Sequence, residues 1–288
     1  MYHFHDPELL PIGLLLKMRG KKVIYDIHEN LPAQILGKEY LAFVKLRKFI
    51  ARLAHWSERV ALALFDGVVV ANPLVAARFP SPKAISLANY PILNLIDRIE
   101  PAEVETTKSP VLIYVGGLTP IRGVKEMVRA VGLVKRDVEL WLAGPWASED
   151  FRRQCSQLAG WDRVRYLGFL TPKEVYAYLK HADVGMAVLH PQANYLTNLP
   201  VKGFEYMACS LPMIMSDFPY WRQVFDGAAR FVNPLDPAEI AEAIESLLNY
   251  SEEAQTMGMT GRRMVEERFS WEAESRKLLS LYARVLAR

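Results

Sequence analysis

The sequence predicts an α/β protein of two domains, each built on a parallel sheet, and three observations carry that prediction. From residue 111 onward, short apolar strands alternate with helices, the pattern of a parallel sheet covered on both faces. A polar, aperiodic stretch, residues 97–110 (DRIEPAEVETTKSP), interrupts the chain just before a strong new strand, as a domain boundary does. The length of 288 residues exceeds one small core and suits two domains of ordinary size. The split around that boundary argues against a single TIM barrel, and the lack of a GxGxxG run argues against a dinucleotide-binding Rossmann enzyme.

In chain order, His3-Phe4-His5-Asp6 opens the sequence, followed by an apolar helix over Leu9 to Met18 that Gly20 ends. Lys22 to Ile27 (KVIYDI) reads as a strand whose end delivers Asp26, His28, Glu29 and Asn30 into a loop; α/β folds place their sites at such ends. Two histidines with acids nearby raise the question of a metal site, but zinc or iron needs further ligands at workable spacing, and His55, His181 and His190 stand apart. No metal is therefore expected. A long helix over about Ala33 to Phe65, broken near Gly37, carries an apolar stripe of Leu46, Phe49, Ile50, Leu53, Val60 and Leu64. Lys45, Lys48, Arg52 and Arg59 line up beside it. They are either the solvated flank of a core-packed helix or a contact with anionic lipid headgroups, where each cation contributes about 1 kcal/mol. Gly67 to Ala71 is a buried strand, Asn72-Pro73 starts a helix, and Ala84 to Ala88 is the next strand.

Past the boundary, strand Val111 to Val115 runs into Gly116-Gly117-Leu118-Thr119-Pro120-Ile121-Arg122-Gly123 and then a helix to about Val134. Strands over 138–143, 163–167 and 183–189 alternate with helices over 149–158 and 172–180. A strand over 230–232, a helix over 237–249 and two more helices complete the chain. The glycines after the first of these strands let backbone approach an oxyanion, and Arg122 before the next helix would stabilise its charge.

Asn194 to Asp217 (NYLTNLPVKGFEYMACSLPMIMSD) reads as a loop, a helix capped at Asn198 with Pro200 in its first turn, a stop at Ser210-Leu211-Pro212, and a buried strand. Glu205 shares a helix face with Val201, Ala208 and Cys209, a costly place for a carboxylate without a partner. It is either paired with Lys202 one turn earlier or faces a ligand diol while the first-turn N–H groups and Lys202 face an anion. A diol beside a phosphate means a nucleotide. Gly203 inside this helix costs about 1 kcal/mol relative to alanine on propensity alone.

The composition is that of a globular protein, 51% apolar and 23% charged, with no uncharged apolar run of membrane-spanning length and no signal-peptide pattern at the N-terminus. Cys155 and Cys209 lack metal or redox spacing, which favours a reducing, cytoplasmic setting. Residues 1–98 hold 13 Lys and Arg against 8 Asp and Glu, whereas the remainder holds 22 against 24, so the first part is the basic one.

The segment PVKGFEYMACSLPMIMSDFP resembles the donor-site segment of retaining GT-B glycosyltransferases, the large family that includes sucrose and glycogen synthases and bacterial surface-polysaccharide transferases. The resemblance implies a GT-B architecture of two Rossmann-like domains: residues 1–98 on the acceptor side, a linker at 99–110, a nucleotide-sugar domain at 111–268, and a final helix at 269–288 crossing back. It implies Glu205 on the ribose, Arg122 on the diphosphate, Gly168 and Phe169 at the base, and His28 facing the donor sugar; Lys202 is the candidate substitute for the missing second diphosphate cation, with Gly116, Gly117, Asn198 and Leu199 around the nucleotide. Gly117 and Thr197 depart from the family pattern, which usually has arginine and glutamate there; the first withdraws a diphosphate cation and the second bears on sugar identity. The family's opening βα units have no counterpart, so the first domain reads as truncated. The implied activity is metal-free sugar transfer, with retention, from a nucleoside-diphosphate sugar to a glycan or lipid-linked acceptor, in the cytoplasm or on the inner face of the plasma membrane. A sugar-nucleotide 2-epimerase and a non-catalytic nucleotide-sugar-binding remnant are the alternatives.

Overall fold

The computed structural model describes residues 1–27, 44–70, 83–104 and 109–287. The chain forms two compact units, Met1–Asn89 with Trp271–Arg288, and Tyr90–Ser270. The division falls at Asn89/Tyr90, ahead of the 99–110 segment, because Ile96 and Ile99 are buried among Trp141, Leu179 and their neighbours in the second unit. Lys180 Nζ also donates to the Ile99 carbonyl at 2.6 Å.

In the first unit, β1 (Tyr2–Phe4), β2 (Val23–Ile27), β3 (Gly67–Val70) and β4 (Ala84–Ser86) form a parallel sheet in that spatial order. The HFHD opening therefore contains a strand that its short polar pattern conceals, paired Tyr2 to Val23 and Phe4 to Tyr25. Alternation along β2 sends Val23, Tyr25 and Ile27 to one face and Ile24 to the other. On the first face lie α1 (Leu10–Met18) and α2 (Val44–Leu64), with Leu10, Ala61 and Phe65 in the core. On the second, α12 (Trp271–Leu286) contributes Leu281 and Val285.

The orientation of α2 departs from the expected one, although Ile50 and Val60 of the expected stripe are half-buried and Ile50 packs on Ala51 and Ala54. Its buried face is Ala51, Ala54, Glu58 and Ala61, whereas Phe49, Leu53 and Leu64 of the expected core stripe are exposed, as is Trp56. The part of the expected helix before Val44, its break near Gly37, and the helix expected from Asn72-Pro73 fall outside the described residues.

The second unit is a six-stranded parallel sheet. Its strands are β5 (Val111–Val115), β6 (Glu139–Ala143), β7 (Val164–Gly168), β8 (Val184–Ala187), β9 (Met213–Ser216) and β10 (Ala229–Val232), in the order β10-β9-β8-β5-β6-β7. The sheet grows outward from β5 in one direction and from β8 in the other, the doubly wound order whose switch point lies between those two strands. Its helices are α3 (Leu93–Ile96), α4 (Val124–Leu133), α5 (Glu149–Ser156), α6 (Pro172–His181), α7 (Ala193–Thr197), α8 (Val201–Ala208), α9 (Pro219–Phe225), α10 (Pro237–Asn249) and α11 (Ser251–Arg268). Leu112 and Tyr114 of β5 enter the core on one face, Val111 and Ile113 the core on the other.

Packing explains Gly203 within α8. A Cβ there would stand 2.8 Å from two atoms of the Phe225 ring and 3.3 Å from Met215 Cε, and Phe225 and Met215 are both fully buried. Gly203→Ala is therefore expected to destabilise the second unit by about 1–3 kcal/mol through overpacking, although alanine is the better helix former. Urea unfolding against the parent protein measures this, and a stabilised variant would refute the packing account.

Candidate functional site

Three of the strands around the switch point end in a glycine with positive φ: Gly116 (143°), Gly144 (128°) and Gly168 (75°) follow or close β5, β6 and β7. They are stitched in series, Gly116 N–H donating to the Ala143 carbonyl at 2.8 Å and Gly144 N–H to the Gly168 carbonyl at 2.7 Å. A Cβ at Gly144 would collide with the Gly116 carbonyl, so only glycine permits this approach. The result is a ledge of bare backbone at the carboxyl ends of the strands. Gly144 was not among the expected residues; a glycine after each of three successive strands was its visible trace.

Arg122 and Lys202 converge on the ledge from the two sides of the switch point. A Cβ at Gly116 would stand 2.6 Å from Lys202 Nζ and 3.0 Å from Arg122 Nη1. At Gly117 the nearest atoms would be 3.8 Å away, ordinary contact, so the second glycine is not forced by crowding. The hydroxyls of Tyr114 and Tyr195 lie near Arg122, the Tyr114 hydroxyl donates to the Gly117 carbonyl at 3.3 Å, and Lys202 Nζ sits 5.6 Å from the centroid of the Tyr114 ring. The loop bearing Arg122 is fastened from beneath: His190 N–H donates to the Ile121 carbonyl at 2.9 Å, and Gly123, at φ 68°, lies against the Val188 carbonyl. His190 Nε2 lies 3.0 Å from Glu126 Oε2 on α4. His190 thus has a carboxylate partner rather than standing isolated, and His181 stacks on Trp141 at 5.3 Å.

Glu205 is one turn beyond Lys202 on α8, near the Tyr176 hydroxyl. Burial raises its carboxyl pKa, with Lys202 and Tyr176 opposing the shift. Burial lowers the Lys202 pKa, the Arg122 charge lowers it further, and Glu205 opposes. The expected Lys202–Glu205 ion pair is not formed within 4 Å; each charge bears on the other's ionisation, while Lys202 Nζ reaches the ledge beside Arg122. Two cations pressed together at a bare backbone concavity favour a polyanion, which would relieve their repulsion.

Asn198 does not cap α8. The residue before Val201, Pro200, takes the cap position with extended backbone (φ −75°, ψ 122°), because α7 occupies the stretch up to Thr197 and leaves Asn198 in the connection. The Asn198 carbonyl instead accepts from Trp221 Nε1 at 2.8 Å, and Leu199 packs partly buried beside it. The far end of α8 stops as expected, with Ser210 in the left-handed region at φ 55°. Phe169, immediately after Gly168, is 81% exposed and so available to a ligand. His28 lies outside the described residues. Among the described residues, no group of three or more His, Cys, Asp or Glu side chains is disposed to hold a metal.

Residues 109–250 match the family model described as glycosyl transferases group 1. Along 99% of its length the chain is 24% identical to an MMP alpha-(1->4)-mannosyltransferase of Mycolicibacterium hassiacum, of which the match spans 77%. Among solved structures it superposes on sucrose-phosphate synthase from Thermosynechococcus elongatus with a TM-score of 0.74 at 20% identity, covering 99% of this chain and 73% of that one. It superposes on Anabaena HepE in complex with UDP with a TM-score of 0.72 at 13% identity, covering 98% and 78%. The fold is therefore that of the GT-B glycosyltransferases.

Proposed function

We propose that this GT-B glycosyltransferase chain takes a nucleoside-diphosphate sugar as donor and transfers the sugar, with retention of configuration, to a glycan or lipid-linked acceptor. The observation that carries the reading is the convergence of Arg122 and Lys202 on Gly116 at the switch point, with Glu205 one helical turn from Lys202. The names of the similar proteins favour the same donor class: solved HepE structures hold UDP or UDP-glucose, and the mycobacterial relative is a mannosyltransferase.

In this reading the diphosphate lies on the glycine ledge. Arg122 and Lys202 stabilise the charge that grows on it as the glycosidic bond breaks, which is where preorganised electrostatics contribute most. Their two fixed charges let the reaction proceed without a metal. Glu205 accepts from the ribose hydroxyls, and Phe169 offers a face to the base. The departing phosphate takes the acceptor proton on the face it leaves, so no protein carboxylate acts as nucleophile and the configuration is kept. The basic face of α2 would bring the protein to a membrane that presents a lipid-linked acceptor.

Calorimetric titration with UDP, GDP and ADP and their common hexose conjugates tests the donor assignment. One nucleotide binding in the micromolar range is expected, and the anomeric configuration of the product then tests retention. No binding by any of them would overturn the assignment.

A further inference from the structure

We propose that the outer face of α2 inserts its apolar side chains into the headgroup region of an anionic lipid surface, so that the protein docks by partial burial as well as by charge attraction. Phe49, Leu53 and Trp56 are 65%, 54% and 63% exposed. They follow one another at the i, i+4, i+7 spacing that places them on one side of the helix. The opposite side, Ala51, Ala54, Glu58 and Ala61, is the buried one, so the apolar ridge points away from the protein's own core. Lys48, Arg52 and Arg59 are exposed along one flank of that ridge. No ion pair joins any of these three cations to a carboxylate among the described residues.

The neighbouring helix shows the same bias. α1 packs against α2, and its Ile12 and Met18 are 55% and 77% exposed, with Leu15 also outside. Scattered single exposed leucines need no explanation, but a ridge of Phe, Leu and Trp with cations on its flank does. That combination is the composition of a helix lying in a membrane interface: aromatic and aliphatic side chains at the acyl boundary, and Lys and Arg among anionic headgroups. The charge chooses the occupant. A second copy of this chain would bring the same cations together, whereas an anionic bilayer neutralises them. No described helix is long and apolar enough to cross a membrane, so the contact proposed is with the surface. It shares no residue with the site formed by Arg122, Lys202 and Glu205.

The test is co-sedimentation of the full chain with phosphatidylglycerol-containing and with pure phosphatidylcholine vesicles. Three proteins are compared: the parent, a variant carrying Phe49→Ser, Leu53→Ser and Trp56→Ser, and one carrying Lys48→Gln, Arg52→Gln and Arg59→Gln. The parent should bind the anionic vesicles and little of the neutral ones. Each lost cation should weaken binding about fivefold, and the triple serine variant at least tenfold at a salt concentration that screens the charges. Lipids brominated near the headgroup should quench parent fluorescence more than that of Trp56→Phe. All substitutions are on exposed positions, and circular dichroism checks that the fold survives. Vesicle binding unchanged by the serine variant, or equal quenching in Trp56→Phe, would refute insertion. A parent dimer that the serine variant dissolves, without vesicle binding, would assign the face to a copy of the chain instead.

Discussion

Glu205→Gln is expected to lower affinity for the donor nucleotide roughly tenfold to a hundredfold, the weight of a hydrogen-bonding network to one ionised group. The substitution keeps the shape of the side chain and its reach to Tyr176, so the fold should persist. What distinguishes a ribose role from a structural one is a comparison of ligands. If Glu205 accepts from the ribose hydroxyls, a 2′,3′-dideoxy nucleotide has nothing to lose and should bind parent and variant alike, closing a double-mutant cycle with a large coupling energy. Equal loss for both nucleotides would mean that Glu205 acts only by supporting Lys202. The acid limb of binding follows from the same group. Its carboxyl pKa is raised, chiefly by burial, and the acceptor form is the ionised one, so affinity is full above that pKa and falls as pH drops through it. A sugar nucleotide is the right probe, because its diphosphate has no further ionisation near neutrality. The variant should lack that limb.

Lys202→Met should cost more, about 2–5 kcal/mol in affinity for the diphosphate, as expected when one partner of a buried charge pair is cut away. Transfer rate should fall further, by roughly a hundredfold or more, since the charge on the leaving group is greatest in the transition state. Here the pH dependence has the opposite sign. Burial and the adjacent Arg122 lower the Lys202 pKa in the empty site, and a bound diphosphate would raise it again. Binding is therefore strongest below the free-site pKa, weakens as pH rises through it, and takes up a proton in between. Calorimetry in two buffers of different ionisation enthalpy reads that uptake. Its absence in the parent protein, or its persistence in Lys202→Met, would remove Lys202 from the diphosphate.

Much of the second unit was legible because each strand is a short apolar run followed by a break. Val111–Val115 and Pro237–Asn249 have the expected limits, since each is bounded by a residue that stops the element. The short helices α3, α7 and α9 were not legible, because few residues make no period. Asn198 was misplaced as a cap for the same reason. Its side chain suits the role, but α7 before it had no readable pattern. Within the site, the placing of Lys202 and Glu205 on neighbouring turns of one helix was readable from their spacing, whereas the reach of Lys202 to Gly116 rather than to a Glu205 ion pair was not.

The sequence by itself determined the class of fold, the alternation that makes a parallel sheet, and the chemistry available on α8, all of which depend on residues close in the chain. The tertiary structure alone decided the strand order, the glycine ledge and the meeting of Arg122 with Lys202 at Gly116, because these join segments whose contact no local pattern encodes. It also decided which side of α2 faces outward. That helix carries both an alanine face and a large apolar face, and periodicity locates two stripes without ranking them. The ranking comes from the neighbouring elements, which cover the face of Ala51, Ala54, Glu58 and Ala61.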